Sequence, residues 1–192
     1  MTSELKLSDS ELINSCLQGD LVAWEALVRR YQRLVASITF KFHLSAEDAA
    51  DVFQSVCTIL FQQLAHLKQQ EKLSSWMITV TVRECWKLKR QYGQVQSLEE
   101  NEWEHLAEIS DSSHLLLQDS ILKVERQHLI RRAVELLSDR CRRLIEQLFY
   151  QETPAPYAEI AARLKMPVPS IGPTRARCLD KLKLELEKIG FF

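Results

Sequence analysis

The sequence predicts an all-α protein made of two small helical domains joined by an acidic linker. Apolar residues recur at three- and four-residue intervals in successive segments, which is the spacing of helices with one buried face. Near the C-terminus, two short helical patterns are separated by a break that contains prolines. Charge is unevenly divided, with a net charge of +1 over residues 1–92, −7 over 93–120 and +5 over 121–192.

Composition excludes several classes of protein. The chain has 192 residues, 46% of them hydrophobic and 27% charged, which is enough to bury a sizeable core. We expect a cytoplasmic protein without membrane insertion, because no apolar run is long enough to cross a bilayer and the N-terminus does not resemble a signal peptide. Five scattered cysteines without CxxC spacing predict buried thiols and no disulfide framework. The four glycines form no phosphate loop, and no histidine, cysteine and acid cluster has ligand or triad spacing, so we expect no metal, cofactor or catalytic activity.

The first two helices have local start and stop signals. Ser8 is suited to cap a short first helix, which Gly19 ends, and Asp20 is suited to cap the next. A long apolar stripe then predicts an amphipathic second helix that packs against other helices. Its members are Trp24, Leu27, Val28, Tyr31, Leu34, Val35, Ile38 and Phe42.

The third helix is predicted to begin after Ser45 and to have two different faces. One face is apolar, from Ala49 to Leu67. The other carries amides and hydroxyls behind an acidic start, whereas solvated helix faces are usually rich in Lys and Glu. This polar face therefore favours docking on a partner, although a solvated face is the alternative. Its candidate binding residues are Asp48, Asp51, Gln54, Ser55 and Thr58.

The fourth helix follows a polar loop, Lys68 to Leu73, and Ser74 or Ser75 is suited to cap it. Its far half carries a basic stripe at positions i, i+3, i+4 and i+7 with one aromatic ring inside it. Such a stripe can follow a phosphate backbone and offer a ring to an unstacked base. The alternative is that the ring belongs to the core and its neighbours are solvated. The stripe consists of Arg83, Trp86, Lys87 and Arg90.

The C-terminal third predicts a helix-turn-helix. We expect a helix from about Ser120, another capped by Ser138, then a short helix from Pro156, a proline-containing break and a basic second helix capped by Ser170. Hydroxyl and cationic side chains on that last helix are suited to base edges and phosphates, and a solvated basic helix is the alternative. Arg175 falls near the apolar stripe, so either it extends along the helix to a phosphate or Pro173 shifts the helix start.

Three runs of sequence carry a resemblance to a known family. AADVFQSVCTILFQQL, SSWMITVTVRECWKLKRQ and EIAARLKMPVPSIGPTRARCLDKL resemble regions 2 and 4 of extracytoplasmic-function sigma factors, which are bacterial transcription initiation factors. The resemblance covers residues 10–92 and 120–188. It implies a region 2 domain over 1–92, an acidic linker over 93–119 that approaches the RNA exit path, and a region 4 domain over 120–192.

The resemblance also implies partners and sites. The third helix would dock on the clamp helices of bacterial core RNA polymerase, with Asp51 and Gln54 at the family's Asp-x-x-Gln motif and Ser55 in place of its usual Glu. Promoter DNA would be melted and read at the minus-ten element by Lys68, Lys72, Arg83, Trp86, Lys87 and Arg90. The minus-thirty-five element would be read by Ser170, Pro173, Thr174, Arg175, Arg177 and Lys181. Family members are often silenced by an anti-sigma factor, which is a further candidate partner.

Two departures from the family pattern concern the DNA-reading residues. Val82 and Arg83 stand where an Arg-Asn pair is usual, and Gly172 to Arg175 replace the commoner Lys-Ser-Arg-Leu type. The second departure suggests a different promoter preference. The competing hypothesis is a helix-turn-helix transcriptional regulator whose N-terminal helices sense or dimerise. The polar face and basic stripe of the N-terminal half argue against it, because a regulator needs no strand-opening surface.

Overall fold

The computed structural model describes residues 7–67, 72–93, 112–151, 153 and 155–191. Within these ranges the chain forms eight α-helices and one short 3₁₀-helix, Leu64–His66, and no strand, which confirms the all-α prediction. The α-helices are α1 Asp9–Leu17, α2 Leu21–Lys41, α3 Ala46–Gln63, α4 Leu73–Gln91, α5 Ser112–Leu136, α6 Asp139–Phe149, α7 Tyr157–Leu164 and α8 Val168–Lys188. None of the described helices is both long and apolar enough to cross a membrane.

The start and stop signals of the first helices are confirmed. Ser8 and Glu11 form a reciprocal capping box at α1, in which the Ser8 backbone N–H donates to the Glu11 carboxylate over 2.6 Å. This bond, together with one from the Ser8 hydroxyl, lowers the pKa of Glu11. Gly19 has a φ of 86°, and the Asp20 carboxylate accepts the backbone N–H groups of Val22 and Ala23 at the start of α2.

The chain divides into two compact units, the first ending at Arg126 and the second beginning at Gln127. The first core is formed chiefly by the apolar faces of α1 to α4. A charged group is also buried there: the Arg30 guanidinium donates to the Asp9 carboxylate over 2.6 Å and to the Leu7 carbonyl over 2.8 Å. Tyr31 donates to the same carboxylate over 2.6 Å. These bonds join α1 to α2 and compensate for burial of the guanidinium.

Two predicted helix caps are wrong. Lys72, not Ser74 or Ser75, occupies the N-cap of α4, because the helix begins at Leu73, whose side chain is buried in the first core. Pro167, not Ser170, occupies the N-cap of α8, and the Ser170 hydroxyl donates to the Pro167 carbonyl over 2.7 Å. Proline is tolerated in the first turn of a helix, where its missing N–H would have no intrahelical partner, so α8 begins earlier than we predicted.

Helix α5 begins at Ser112, earlier than the predicted start near Ser120. Val124 is buried in the first core and Ile121 packs against it, whereas Val134 and Leu137 belong to the second core. Residues 112–119 of the predicted linker are therefore helical, and its residues 94–111 lie outside the described residues. The domain limits 1–92 and 120–192 stay predictions.

The second core is formed by α6, α7, α8 and the last part of α5. Cys141 of α6 and Cys178 of α8 form a disulfide in this core, with their Cα atoms 5.3 Å apart. The expectation of no disulfide is therefore wrong. The two residues are separated by 37 positions, so their pairing depends on how α6 packs on α8 and leaves no spacing signal in the sequence. Cys16, Cys57 and Cys85 are free thiols.

Candidate partner-binding and nucleic-acid-binding surfaces

The polar face of α3 lies on the surface, as predicted. Asp51, Gln54 and Thr58 are exposed, while Asp48 and Ser55 are half-buried at its edges. The Thr58 hydroxyl donates to the Gln54 carbonyl one turn earlier over 2.9 Å, which is the usual way a hydroxyl is satisfied within a helix. The amide of Gln54 and the carboxylate of Asp51 are thus both available to hydrogen-bond a partner, and the carboxylate favours a partner that supplies a cation or several N–H donors.

Tyr92, at the end of α4, contacts the acidic start of this face. Its phenol donates to the Asp48 carboxylate over 2.8 Å, and the Ser45 hydroxyl donates to the same carboxylate over 2.8 Å. The pKa of Asp48 is lowered, first by the Ser45 bond and then by the Tyr92 bond. The pKa of Tyr92 is raised by its bond to Asp48 and by the nearby charges of Asp51 and Glu47. No local pattern in the sequence indicates this role of Tyr92, because 44 positions separate it from Asp48.

The basic stripe of α4 is only partly exposed. Arg83 and Lys87 are exposed, whereas Arg90 and Trp86 are half-buried. The Trp86 ring meets Phe42 edge-to-face, with ring centroids 5.1 Å apart, and packs against the first core. Most of this ring therefore serves packing, as the alternative interpretation expects, and only its outer part could meet a base. Lys72 is exposed at the start of α4, and Lys68 lies outside the described residues.

A carboxylate from α5 lies beside the start of α4. The Ser75 hydroxyl donates to Glu125 over 2.8 Å, so a negative charge sits within one turn of Lys72. Sequence reasoning named Ser75 only as a candidate helix cap and missed its contact with Glu125, since the two residues are 50 positions apart. The carboxylate lowers the local positive potential on the part of α4 predicted to meet the minus-ten element.

The turn between α7 and α8 spans Lys165 to Pro167. Lys165 adopts the left-handed conformation, with φ 50° and ψ 52°. Its N–H donates to the Ala162 carbonyl over 3.3 Å, and the Met166 N–H donates to the Ala161 carbonyl over 3.0 Å. These two bonds form a Schellman motif, which ends α7 sharply and directs Met166 into the core. Helices α7 and α8 thus pack on each other through a three-residue connection, which is the kind of connection that the predicted helix-turn-helix requires.

The predicted DNA-contacting residues of α8 divide between its two faces. Pro173, Arg175, Arg177 and Lys181 are exposed and Ser170 is half-buried. Thr174 is 8% exposed and lies on the buried face of α8, unlike the other members of the predicted set, and its contact with DNA stays a prediction. It lies one helical turn before the disulfide residue Cys178, on the same buried side.

The sequence left two alternatives for Arg175: a side chain that extends along the helix, or a helix start shifted by Pro173. Helix α8 begins at Val168, so Pro173 lies inside the helix and does not mark its start. The Arg175 guanidinium extends to the first residue of α7 and donates to the Tyr157 phenol over 2.9 Å. Arg177 lies on the other flank, where its Nε–H donates to the Pro173 carbonyl over 3.3 Å.

One comparison with known proteins concerns α2 to α4. Residues 27–94 match the family model of sigma-70 region 2. The match supports a sigma-70 family member with a role in RNA polymerase binding and promoter recognition, and this family is in general non-enzymatic. It spans less than half of the chain and includes the polar face of α3, the Tyr92 contact and the basic stripe of α4. No curated protein sequence matches the chain.

Proposed function

We propose that this chain is an alternative sigma factor of the extracytoplasmic-function group, which binds bacterial core RNA polymerase and directs promoter recognition and DNA melting. The observation that carries the proposal is a sigma-70 region 2 match over residues 27–94, in the same chain as two helices, α7 and α8, joined by a three-residue turn. Such a protein acts in the cytoplasm by binding alone, and an anti-sigma factor is a further candidate partner.

Core polymerase would bind the polar face of α3. Asp51 and Gln54 are exposed there and stand at the positions of the family's Asp-x-x-Gln motif. Their neighbour Asp48 is fixed by Ser45 and Tyr92, so the acidic end of the surface is ordered before a partner arrives. Preordering lowers the conformational entropy lost on binding.

The minus-ten element would meet the exposed cations of α4. Arg83 and Lys87 can bind phosphates, and Lys72 lies at the opposite end of the same helix. Trp86 positions this surface mainly by packing on Phe42, with the outer part of its ring left for a base. The Glu125 carboxylate near Lys72 would then have to move or be compensated by a cation when a DNA strand approaches.

The minus-thirty-five element would meet the exposed side of α8. Arg177 is suited to a base edge or phosphate, Lys181 follows it by one turn, and Arg175 lies at the other flank near the start of α7. In a helix-turn-helix the second helix enters the major groove while the first helix crosses the backbone. Arg175, bonded to Tyr157, is therefore suited to a phosphate at that crossing.

The decisive experiment is run-off transcription with sigma-free core polymerase on a library of upstream fragments. We expect the purified protein to direct initiation at defined start sites that share two upstream elements. Core polymerase alone on the same library is the control. A helix-turn-helix regulator would retain duplex fragments and yet confer no start sites, and that result would refute the proposal.

A further inference from the structure

The Cys141–Cys178 disulfide joins α8, the proposed recognition helix, to α6, which packs against it. Cys141 lies in the first turn of α6 and Cys178 lies in the middle of α8, and both residues are buried. The bond closes a loop across 37 positions that contains all of α7, the Lys165 turn and the first half of α8. One covalent link therefore encloses the helix-turn-helix.

The second core is small, so this link has a large effect on it. Its buried members are Val134, Leu137, Cys141, Leu144, Ile145, Ile160, Ala161, Met166, Ile171 and Cys178. Small cores supply little net stability, and a cross-link that closes a loop of this length restricts the unfolded chain substantially. Opening the disulfide should therefore loosen α8 more than it would loosen a helix in a large domain.

The remaining cysteines are chemically different. Cys16, Cys57 and Cys85 lie in the first unit as free thiols, and burial raises the pKa of each, that of Cys85 to about 12. A protonated thiol is a poor nucleophile, so these groups are slow to attack a disulfide. Among the cysteines, the structure thus separates a cross-linked pair in the second unit from free thiols with raised pKa values in the first.

We propose that Cys141 and Cys178 form a reversible redox site that controls the DNA-binding unit, an inference that rests on the proposed function of α7 and α8. The co-reactant is a dithiol reductant. One of its thiolates attacks a sulfur of the bond, forming a mixed disulfide and releasing the other cysteine as a thiolate that takes a proton. Its second thiol then displaces the remaining cysteine. Two protein thiols and one reductant disulfide result, a transfer of two electrons and two protons.

Access to this site depends on local opening. Because both cysteines are buried, a reductant reaches the sulfurs when α8 separates from α6. DNA held by α8 would disfavour that opening and would slow reduction. The oxidised state therefore binds the upstream element, and the reduced state releases it.

The test uses the full chain, incubated with either glutathione disulfide or dithiothreitol. Alkylation and mass spectrometry identify the state of each cysteine, hydrogen exchange reports on α7 and α8, and a labelled duplex selected by run-off transcription reports on DNA binding. We expect reduction to speed exchange in α8 about tenfold or more, to weaken duplex binding about tenfold, and to lower the melting temperature of the second unit by about 10 °C or more.

Two double variants test whether the redox response depends on the Cys141–Cys178 pair. Cys141→Ala combined with Cys178→Ala should behave as the reduced protein in both buffers, whereas Cys16→Ala combined with Cys57→Ala should keep the full redox response. Free thiols at Cys141 and Cys178 after oxidation would overturn the proposal. So would equal duplex binding and equal exchange in the two states, with promoter-specific transcription intact. If neither the oxidised nor the reduced protein binds a duplex that contains the selected upstream element, the result would instead contradict the DNA-binding function proposed for the second unit.

Discussion

The Nη1 atom of Arg175 lies 2.9 Å from the phenol oxygen of Tyr157, so a side chain of α8 is bonded to the first residue of α7. Both side chains are exposed, and they come from positions 18 residues apart. The bond holds the guanidinium at one flank of the α7–α8 pair while leaving its other N–H groups available. Arg175 therefore combines a structural contact with the capacity to bind a phosphate.

Removing the Tyr157 acceptor tests the structural contact. Tyr157→Phe should lower the free energy of unfolding of the second unit by no more than about 1 kcal/mol, because the hydrogen bond is exposed to solvent. Combined with Arg175→Ala, the two effects on unfolding should be less than additive. Urea unfolding of the two single variants and the double variant measures this coupling. Strict additivity would show that the two side chains do not interact in solution.

Arg177 offers a test of promoter recognition. Arg177→Ala should weaken binding to the cognate upstream duplex by about 1–3 kcal/mol if the guanidinium binds a guanine edge in a bidentate manner. Loss of a phosphate contact would instead weaken binding to every duplex by a similar amount. Fluorescence anisotropy on cognate and altered duplexes distinguishes these results. Lys183→Ala is a matched control, since Lys183 is an exposed cation further along the same helix. Unchanged binding would remove Arg177 from the interface.

Lys165 occupies a conformation that suits glycine. The left-handed backbone conformation of Lys165 costs any residue other than glycine about 1–2 kcal/mol. Glycine avoids this cost, but it loses more conformational entropy on folding, which offsets part of the gain. Lys165→Gly should therefore raise the free energy of unfolding of the second unit by up to about 1 kcal/mol. Lys183→Gly, inside α8, should lower it by about 1 kcal/mol. Urea midpoints measure both, and a destabilising Lys165→Gly would contradict the turn geometry.

The α3 surface can be tested by truncating its two central side chains. Asp51→Ala combined with Gln54→Ala should reduce co-purification with core polymerase several-fold while leaving the helical circular dichroism unchanged, because both side chains are exposed. Asn14→Ala, an exposed amide on α1, is the control and should co-purify normally. If the double variant binds polymerase as well as the parent does, the docking surface lies elsewhere.

The Tyr92–Asp48 bond should make stability depend on pH at both extremes. Because the pKa of Asp48 is lowered in the folded protein, the carboxylate contributes its full stabilisation above its ordinary pKa of 3.8. This stabilisation is lost as the pH falls through the lowered pKa of the folded state. Because the pKa of Tyr92 is raised in the folded protein, the phenol contributes its full stabilisation below its ordinary pKa of 10.0. This stabilisation is lost as the pH rises through the raised pKa of the folded state. The stability difference between the parent and Tyr92→Phe should therefore be constant near neutrality and shrink in acid and in alkali. Urea midpoints across this range provide the measurement, and a difference independent of pH would show that the bond does not form.

The candidate surfaces were predictable to different degrees. The exposure of Gln54 follows from helical spacing, since Val52 and Val56, two positions before and after it, are buried, and residues two positions apart point to nearly opposite sides of a helix. Thr174 fits the same basic helix by composition and yet is buried, because it lies three residues after Ile171 and four before Cys178, on the face that packs on α6 and α7. Trp86 has the spacing of an exposed stripe, but its ring is half-buried against Phe42 of another helix.

The sequence by itself determined the all-α class, the apolar faces of the helices and the caps at Ser8, Gly19, Asp20 and Ser45. Each of these depends on residues within one or two turns of each other, whose interactions follow from spacing alone. Only the tertiary structure decided the Cys141–Cys178 disulfide, the contact of Tyr92 with Asp48 and that of Ser75 with Glu125. These pairs are 37 to 50 positions apart and meet because whole helices pack on one another, which no local pattern encodes.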